Sequence, residues 1–296
     1  LAACSSNPKK DVAPLPELSG KVVKLDSRWS VSVGDGSDKE AVQLEPAVLA
    51  PAVFAASRDG VVKAVGRATG KLRWKRDFKE GITGGVGAGD GVVALGTAQA
   101  ELLLLDARDG KTLWRAPLGA ALLSVPRITA TEVVVQTLDG KLQVFERADG
   151  KRRWQFDTPV PPLSLRGNAS PIVSGDKMFA VSGQGDLYQI DLKSGLPVWQ
   201  TRVTNSRGRG EIERLMDIDG DLVLDTNGTL YTAGYQSQLT ATDTIGVRRR
   251  WQVNISTTQS VGLDAAQGLE LLQRPHQVQH HRRMRGQYHL VAAPHQ

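Results

Sequence analysis

The chain has 296 residues, of which 40% are hydrophobic and 23% charged, with 31 Gly and a single Cys; this is a globular composition, enough for one large domain or two ordinary ones. No apolar run reaches the roughly 18 residues that a membrane-crossing helix needs, and one Cys excludes an intramolecular disulfide and every multi-cysteine metal pattern. The net charge of +6 is spread among acidic residues rather than gathered into a stripe, which argues against a nucleic-acid partner.

The Cys lies at position 4, in Leu1-Ala2-Ala3-Cys4-Ser5-Ser6. A short small-or-apolar triplet ending in Cys resembles the lipobox of bacterial lipoprotein precursors. That resemblance implies a lipid on Cys4 and makes Leu1 to Ala3 the remnant of a signal peptide; the alternative is an ordinary free thiol near a terminus. Ser5 at the next position resembles the sorting signal for the outer membrane. Residues 1–20, with three Pro and two Lys among small polar residues, read as a lipobox remnant and flexible tether.

From residue 21 the chain repeats. Six Trp, at 29, 74, 114, 154, 199 and 251, are spaced by 45, 40, 40, 45 and 52 residues. Their surroundings repeat too: Arg67-Ala-Thr-Gly-Lys-Leu-Arg-Trp74, Ala107-Arg-Asp-Gly-Lys-Thr-Leu-Trp114 and Arg147-Ala-Asp-Gly-Lys-Arg-Arg-Trp154. Looser copies end at Trp199 and Trp251. The copy before Trp154 predicts four strands, at 124–129, 132–137, 141–146 and 151–156, with Asp139-Gly140 and Asp149-Gly150 as turns because Gly tolerates positive φ. Four short strands per 40 or so residues define an all-β β-propeller. Trp29, Trp74, Trp114, Trp154, Trp199 and Trp251 are then structural: each large ring fills the gap between one blade and the next.

The unit Ala-x-Asp-x-x-x-Gly-Lys-x-x-Trp resembles the PQQ-like repeat, which two functional classes share. Quinoprotein dehydrogenases need a Ca²⁺ site, a catalytic Asp and a cofactor slot. Here no His precedes His276, and most carboxylates sit in Asp-Gly turns, where they cap backbone N–H groups. The second class is a scaffold, and two segments between blades resemble the BamB family of outer-membrane assembly lipoproteins. They are Pro161-Pro-Leu-Ser-Leu-Arg-Gly-Asn-Ala-Ser-Pro171 and Glu211-Ile-Glu-Arg-Leu-Met-Asp-Ile-Asp219.

The resemblance implies an eight-bladed ring, no catalysis, no cofactor and no metal. It also implies a periplasmic location on the outer membrane, a role in inserting outer-membrane β-barrel proteins, and docking on the POTRA domains of the barrel subunit BamA. Carried over residue by residue, the docking contacts are Leu163, Leu165, Arg166, Asp217 and Asp219. Their chemistry suits the role: two Leu on a Pro-flanked loop offer apolar contact, and Arg166 offers a planar fork. Asp217 and Asp219, two apart on a strand-like run, share one face, with Ile218 on the other. Read without the resemblance, the Leu pair is a plug under the propeller and the Asp pair a solvated turn. Other subunits of the machinery and unfolded outer-membrane proteins are the further partners implied. The alternative function is a quinoprotein-type dehydrogenase domain. Arg207-Gly-Arg-Gly precedes no helix and has no aromatic beside it, so it reads as a surface loop rather than a phosphate or nucleic-acid site.

About five blades are recognisable, giving a propeller over 21–264. Residues 265–296 lack Trp, Asp-Gly turns and alternation, and carry all five His (His276, His280, His281, His289 and His295) among Arg and Gln. With no Asp, Glu or Cys among those His residues, they read as a disordered basic tail rather than a metal site. Loss of the native repeat frame near Asp264–Gly268 would account for the change, and repeats in another frame downstream would test it.

Overall fold

Apolar runs of four to six residues punctuated by turns fold here as antiparallel strands, and every blade follows one plan. The computed structural model describes residues 27–36, 44–160, 169–204, 218, 220–234, 237–254, 260–264 and 268–271. Blade 1 comprises β1 (Ala47–Leu49), β2 (Ala52–Ala56), β3 (Val61–Gly66) and β4 (Leu72–Asp77). Blade 2 comprises β5 (Ile82–Gly89), β6 (Val92–Thr97), β7 (Glu101–Asp106) and β8 (Thr112–Pro117). Blade 3 comprises β9 (Arg127–Ile128), β10 (Glu132–Gln136), β11 (Lys141–Glu146) and β12 (Arg152–Asp157). Blade 4 comprises β13 (Ile172–Ser174), β14 (Lys177–Val181), β15 (Asp186–Asp191) and β16 (Pro197–Arg202). Blade 5 comprises β17 (Val223–Leu224), β18 (Thr229–Thr232), β19 (Gln238–Asp243) and β20 (Arg248–Asn254).

Within each blade the strands pair in chain order, and the described residues contain no helix. The fold is therefore the all-β propeller of four-stranded blades that the repeat predicts. A hairpin of β21 (Val261–Asp264) and β22 (Gly268–Leu271) follows, carrying strand structure past Asp264 as far as Leu271. In blade 3 the first strand is shorter than the 124–129 expected. Pro126 has no N–H to give to a ladder, and the Val125 N–H is drawn away to Ser170 in blade 4.

The core lies between blades rather than inside them. In Glu101-Leu-Leu-Leu-Leu-Asp106, side chains alternate across the sheet. Leu103 and Leu105 pack with Phe54, Val62 and Trp74 of blade 1. Leu102 and Leu104 pack with Val133, Val135 and Phe145 of blade 3. A four-residue apolar run is thus shared between two junctions.

One irregularity recurs in all five blades. The third and fourth strands slip register just before the Trp, so that Trp74 faces Ala64 while Leu72 faces Val65, leaving Arg73 as the extra residue. The same slip isolates Leu113, Arg153, Val198 and Arg250. A β-bulge of this kind bends the strand and re-aims a side chain, which explains why two residues always separate Lys or its equivalent from Trp in the closest copies.

Candidate functional site

Three of the five indoles that follow that bulge bond to the next blade. Trp74 Nε1–H donates to Ala107 O at 2.9 Å, Trp114 to Arg147 O at 2.8 Å and Trp154 to Leu192 O at 2.9 Å. Trp29 makes the equivalent bond to Arg67 O at 3.0 Å. The rings lie flat on turn glycines of the next blade: Trp29 on Gly70, Trp74 on Gly110, Trp114 on Gly150 and Trp154 on Gly195, all with φ between +66° and +74°. A Cβ at any of these glycines would meet the ring at 2.6–2.8 Å.

Trp199 departs from the rule. Its N–H donates to Gln189 Oε1 in its own blade, at 2.9 Å. The residue directly opposite the Trp is Ala64, Leu104 and Val144 in blades 1 to 3, but Gln189 in blade 4, so the amide captures the indole. Trp251 packs against Tyr231 of its own blade, with ring centroids 5.9 Å apart.

The turn carboxylates serve the backbone. Asp106 Oδ1 accepts the Arg108 N–H at 2.8 Å, Asp191 Oδ1 accepts from Ser194 N at 2.7 Å, and Asp243 Oδ1 accepts from Ile245 N at 3.0 Å. The Arg108 side chain, followed by its backbone N–H, pulls the Asp106 carboxyl down to about 2. Hydrogen bonds from the turn likewise lower Asp191 and Asp243. Among the described residues, no three His, Cys, Asp or Glu side chains converge as metal ligands.

The innermost strands β1, β5, β9, β13 and β17 surround a central cavity of about 790 Å³, lined among others by Glu45, Val48, Arg127, Ile172 and Leu224. Where these strands begin, a belt of hydrogen bonds passes from blade to blade. Glu45 N–H donates to Gly85 O at 3.1 Å, and Val125 N–H to Ser170 Oγ at 2.9 Å. Ser170 N–H donates to Asp221 Oδ1 at 2.9 Å, and Asp221 N–H to Ser260 Oγ at 3.1 Å. Arg127 bridges further, giving Nε–H to Pro171 O at 3.0 Å and Nη2–H to Asp221 Oδ2 at 3.0 Å.

Of the residues that sequence reasoning singles out, Cys4, Leu163, Leu165, Arg166, Asp217 and Asp219 lie outside the described residues, whereas the six Trp lie within them. The flanks of the two inter-blade segments are described, and they converge. Ala169, Ile218 and Leu222 share one buried cluster with Phe179, Val203 and Leu230. Ile218, between the two Asp of the second segment, is 3% exposed. Arg127, Ser170, Asp221 and Ser260 escape sequence reasoning, because nothing local marks an ion pair formed across 94 residues of chain. The available signal is their alignment: Ser170, Asp221 and Ser260 hold the same place in successive repeats, just ahead of the innermost strand.

Blades of this plan, joined by Trp-on-Gly contacts and linked by a polar belt, define a propeller of PQQ-like repeats. Residues 58–287 match the family model described as outer membrane protein assembly factor BamB. The chain is 39% identical over 259 residues to the protein of that name from Pseudomonas aeruginosa, covering 87% of this chain and 68% of that one. It is 32% identical to its counterpart from Yersinia pestis, covering 90% and 71%. The crystal structure of BamB from Moraxella catarrhalis superposes with a TM-score of 0.71 at 33% identity, over 77% of this chain and 68% of that one. The chain belongs to the BamB family of outer membrane protein assembly factors. A quinohemoprotein alcohol dehydrogenase from Comamonas testosteroni shares the fold alone, at 14% identity and a TM-score of 0.58.

Proposed function

We propose that this chain is a non-catalytic scaffold of the outer-membrane β-barrel assembly machinery. Lipid on Cys4 holds it at the periplasmic face of the outer membrane, residues 1–20 form the tether, and the propeller begins at residue 21. Leu163, Leu165, Arg166, Asp217 and Asp219 dock on the POTRA domains of BamA, and unfolded outer-membrane proteins are the clients.

The observation that carries the reading is the convergence of the two segments' flanks. Ser170, two residues past the first segment's Asn168, bonds the side chain of Asp221, two residues past Asp219. Segments tied together at their ends suit a single composite surface, with two Leu for apolar contact and Arg166 for charge-assisted hydrogen bonds.

The test is retention of a soluble POTRA region of BamA by this protein, beside a variant carrying Leu163→Asp and Arg166→Glu. Retention that the double substitution abolishes is the expected result. Equal retention by both proteins moves the contact elsewhere, and no retention by a folded wild type removes the docking reading.

A further inference from the structure

The belt at the mouth of the cavity is not uniform, and its irregular member is Arg127. The other links join neighbouring blades. The Arg127 guanidinium reaches from the first residue of β9 to Pro171 at the entrance of blade 4 and to Asp221 at the entrance of blade 5. Asp221 in turn accepts from Arg127 and Ser170 and donates to Ser260. Both partners are partly shielded, with side chains 34% and 25% exposed. The planar fork of Arg serves the carbonyl and the carboxylate at once, which a Lys ammonium on a flexible stem cannot do.

Position in the chain gives this geometry a consequence. Ser170 and Pro171 come three and four residues after Gly167 of the Leu-Ser-Leu-Arg-Gly segment, and Asp221 comes two residues after Asp219 of the segment ending Asp217-Ile-Asp219. Arg127 belongs to neither. It lies one blade away and holds the exits of both, through a carbonyl on one side and a carboxylate on the other.

We propose that Arg127 and Asp221 are positioning residues that fix the two inter-blade segments relative to each other, so that they present one docking surface to a protein partner. The inference rests on the docking reading above and adds the device that makes the surface composite. Neither residue need touch the partner. Loss of the pair loosens one segment against the other, and binding energy is then spent on ordering them.

Affinity for the soluble POTRA region is measured by calorimetry for the wild type, Arg127→Met, Arg127→Lys and Asp221→Asn, with thermal midpoints recorded in parallel. Asp221→Asn keeps an oxygen for the Ser170 N–H while discharging the pair, so it separates positioning from loss of the backbone contact. Arg153→Met is the control for simple destabilisation, because Arg153 pairs with Glu146 at 2.7 Å and Glu132 at 2.8 Å where β12 begins, at the strand ends of blade 3 opposite the belt. Arg127→Met and Asp221→Asn are expected to weaken binding roughly tenfold, Arg127→Lys to recover only part of the loss, and Arg153→Met to leave affinity unchanged. Added to a weakened Arg166→Ala background, Arg127→Met is expected to cost clearly less than it does alone, because both act through one segment. Wild-type affinity in Arg127→Met overturns the inference, as does an equal loss in Arg153→Met or full additivity with Arg166→Ala. A folded wild type that does not bind overturns the docking reading and this inference together; only in the former cases does docking itself survive.

Discussion

Replacing Gly150 by Ala probes the junction between blades 2 and 3, and Gly175→Ala provides an internal reference. Both glycines have positive φ, +74° and +60°, so both substitutions force an L-residue into the left-handed region at a cost of about 1 kcal/mol. They differ in what the new methyl meets. At Gly175 nothing lies within 4 Å, whereas at Gly150 the Cβ falls 2.7 Å from Cδ2 and Cε3 of Trp114. That ring cannot retreat freely: it is 9% exposed, packs near Phe145 and is bonded through Nε1 to Arg147 O. Overpacking of a fixed core contact costs roughly 1–3 kcal/mol, giving about 3 kcal/mol in total for Gly150→Ala against about 1 kcal/mol for Gly175→Ala. At roughly 2–4 °C per kcal/mol for a protein of this size, the midpoints should fall by about 6–12 °C and about 2–4 °C. Thermal unfolding followed by circular dichroism reads both. Equal shifts in the two variants would refute the claim that the indole on the turn glycine holds the blades together.

Three further outcomes follow from the same contacts. Gly246 occupies the corresponding turn of blade 5 without a ring above it, its nearest Cβ contact being Asp243 Oδ2 at 3.3 Å; Gly246→Ala should change stability by less than about 0.5 kcal/mol in a denaturant titration. Because Arg108 holds the Asp106 carboxyl at about 2, below its usual 3.8, Asp106 contributes stability above pH 3.8 that is lost as pH falls toward 2. In Asp106→Asn, unfolding midpoints measured across that window should therefore decline less steeply than in the wild type, and parallel curves would count against the assignment. Arg202→Met leaves the Asp186 carboxylate, 6% exposed, without its charged partner, and a loss of about 1–3 kcal/mol is expected by urea unfolding.

What the sequence discloses is whatever the repeat writes locally. The Asp-Gly turns and alternating runs specify four strands per blade, and β11 falls on the residues expected for it, Lys141–Glu146. The role of the Trp residues is legible because a large apolar residue at a constant place in a repeat must meet the same neighbour each time. Trp199 breaks the rule for a reason that lies ten residues upstream, in Gln189, and only register reveals that the two are opposite each other. The bulge before each Trp is equally hidden, since an extra residue has no signature until both strands are aligned. The Arg127–Asp221 pair is the least legible of all, because an ion pair between residues so distant in sequence depends on three blades being stacked first.

Because the apolar clusters sit at the seams, a blade taken alone would own two half-cores and no whole one. The cooperative element of this molecule is the seam, and the smallest fragment with a sealed interior is a pair of adjacent blades. Stability then accrues seam by seam, in the manner of a one-dimensional array. The seam between blades 4 and 5, whose indole is turned back onto Gln189, is the natural place for that array to part first.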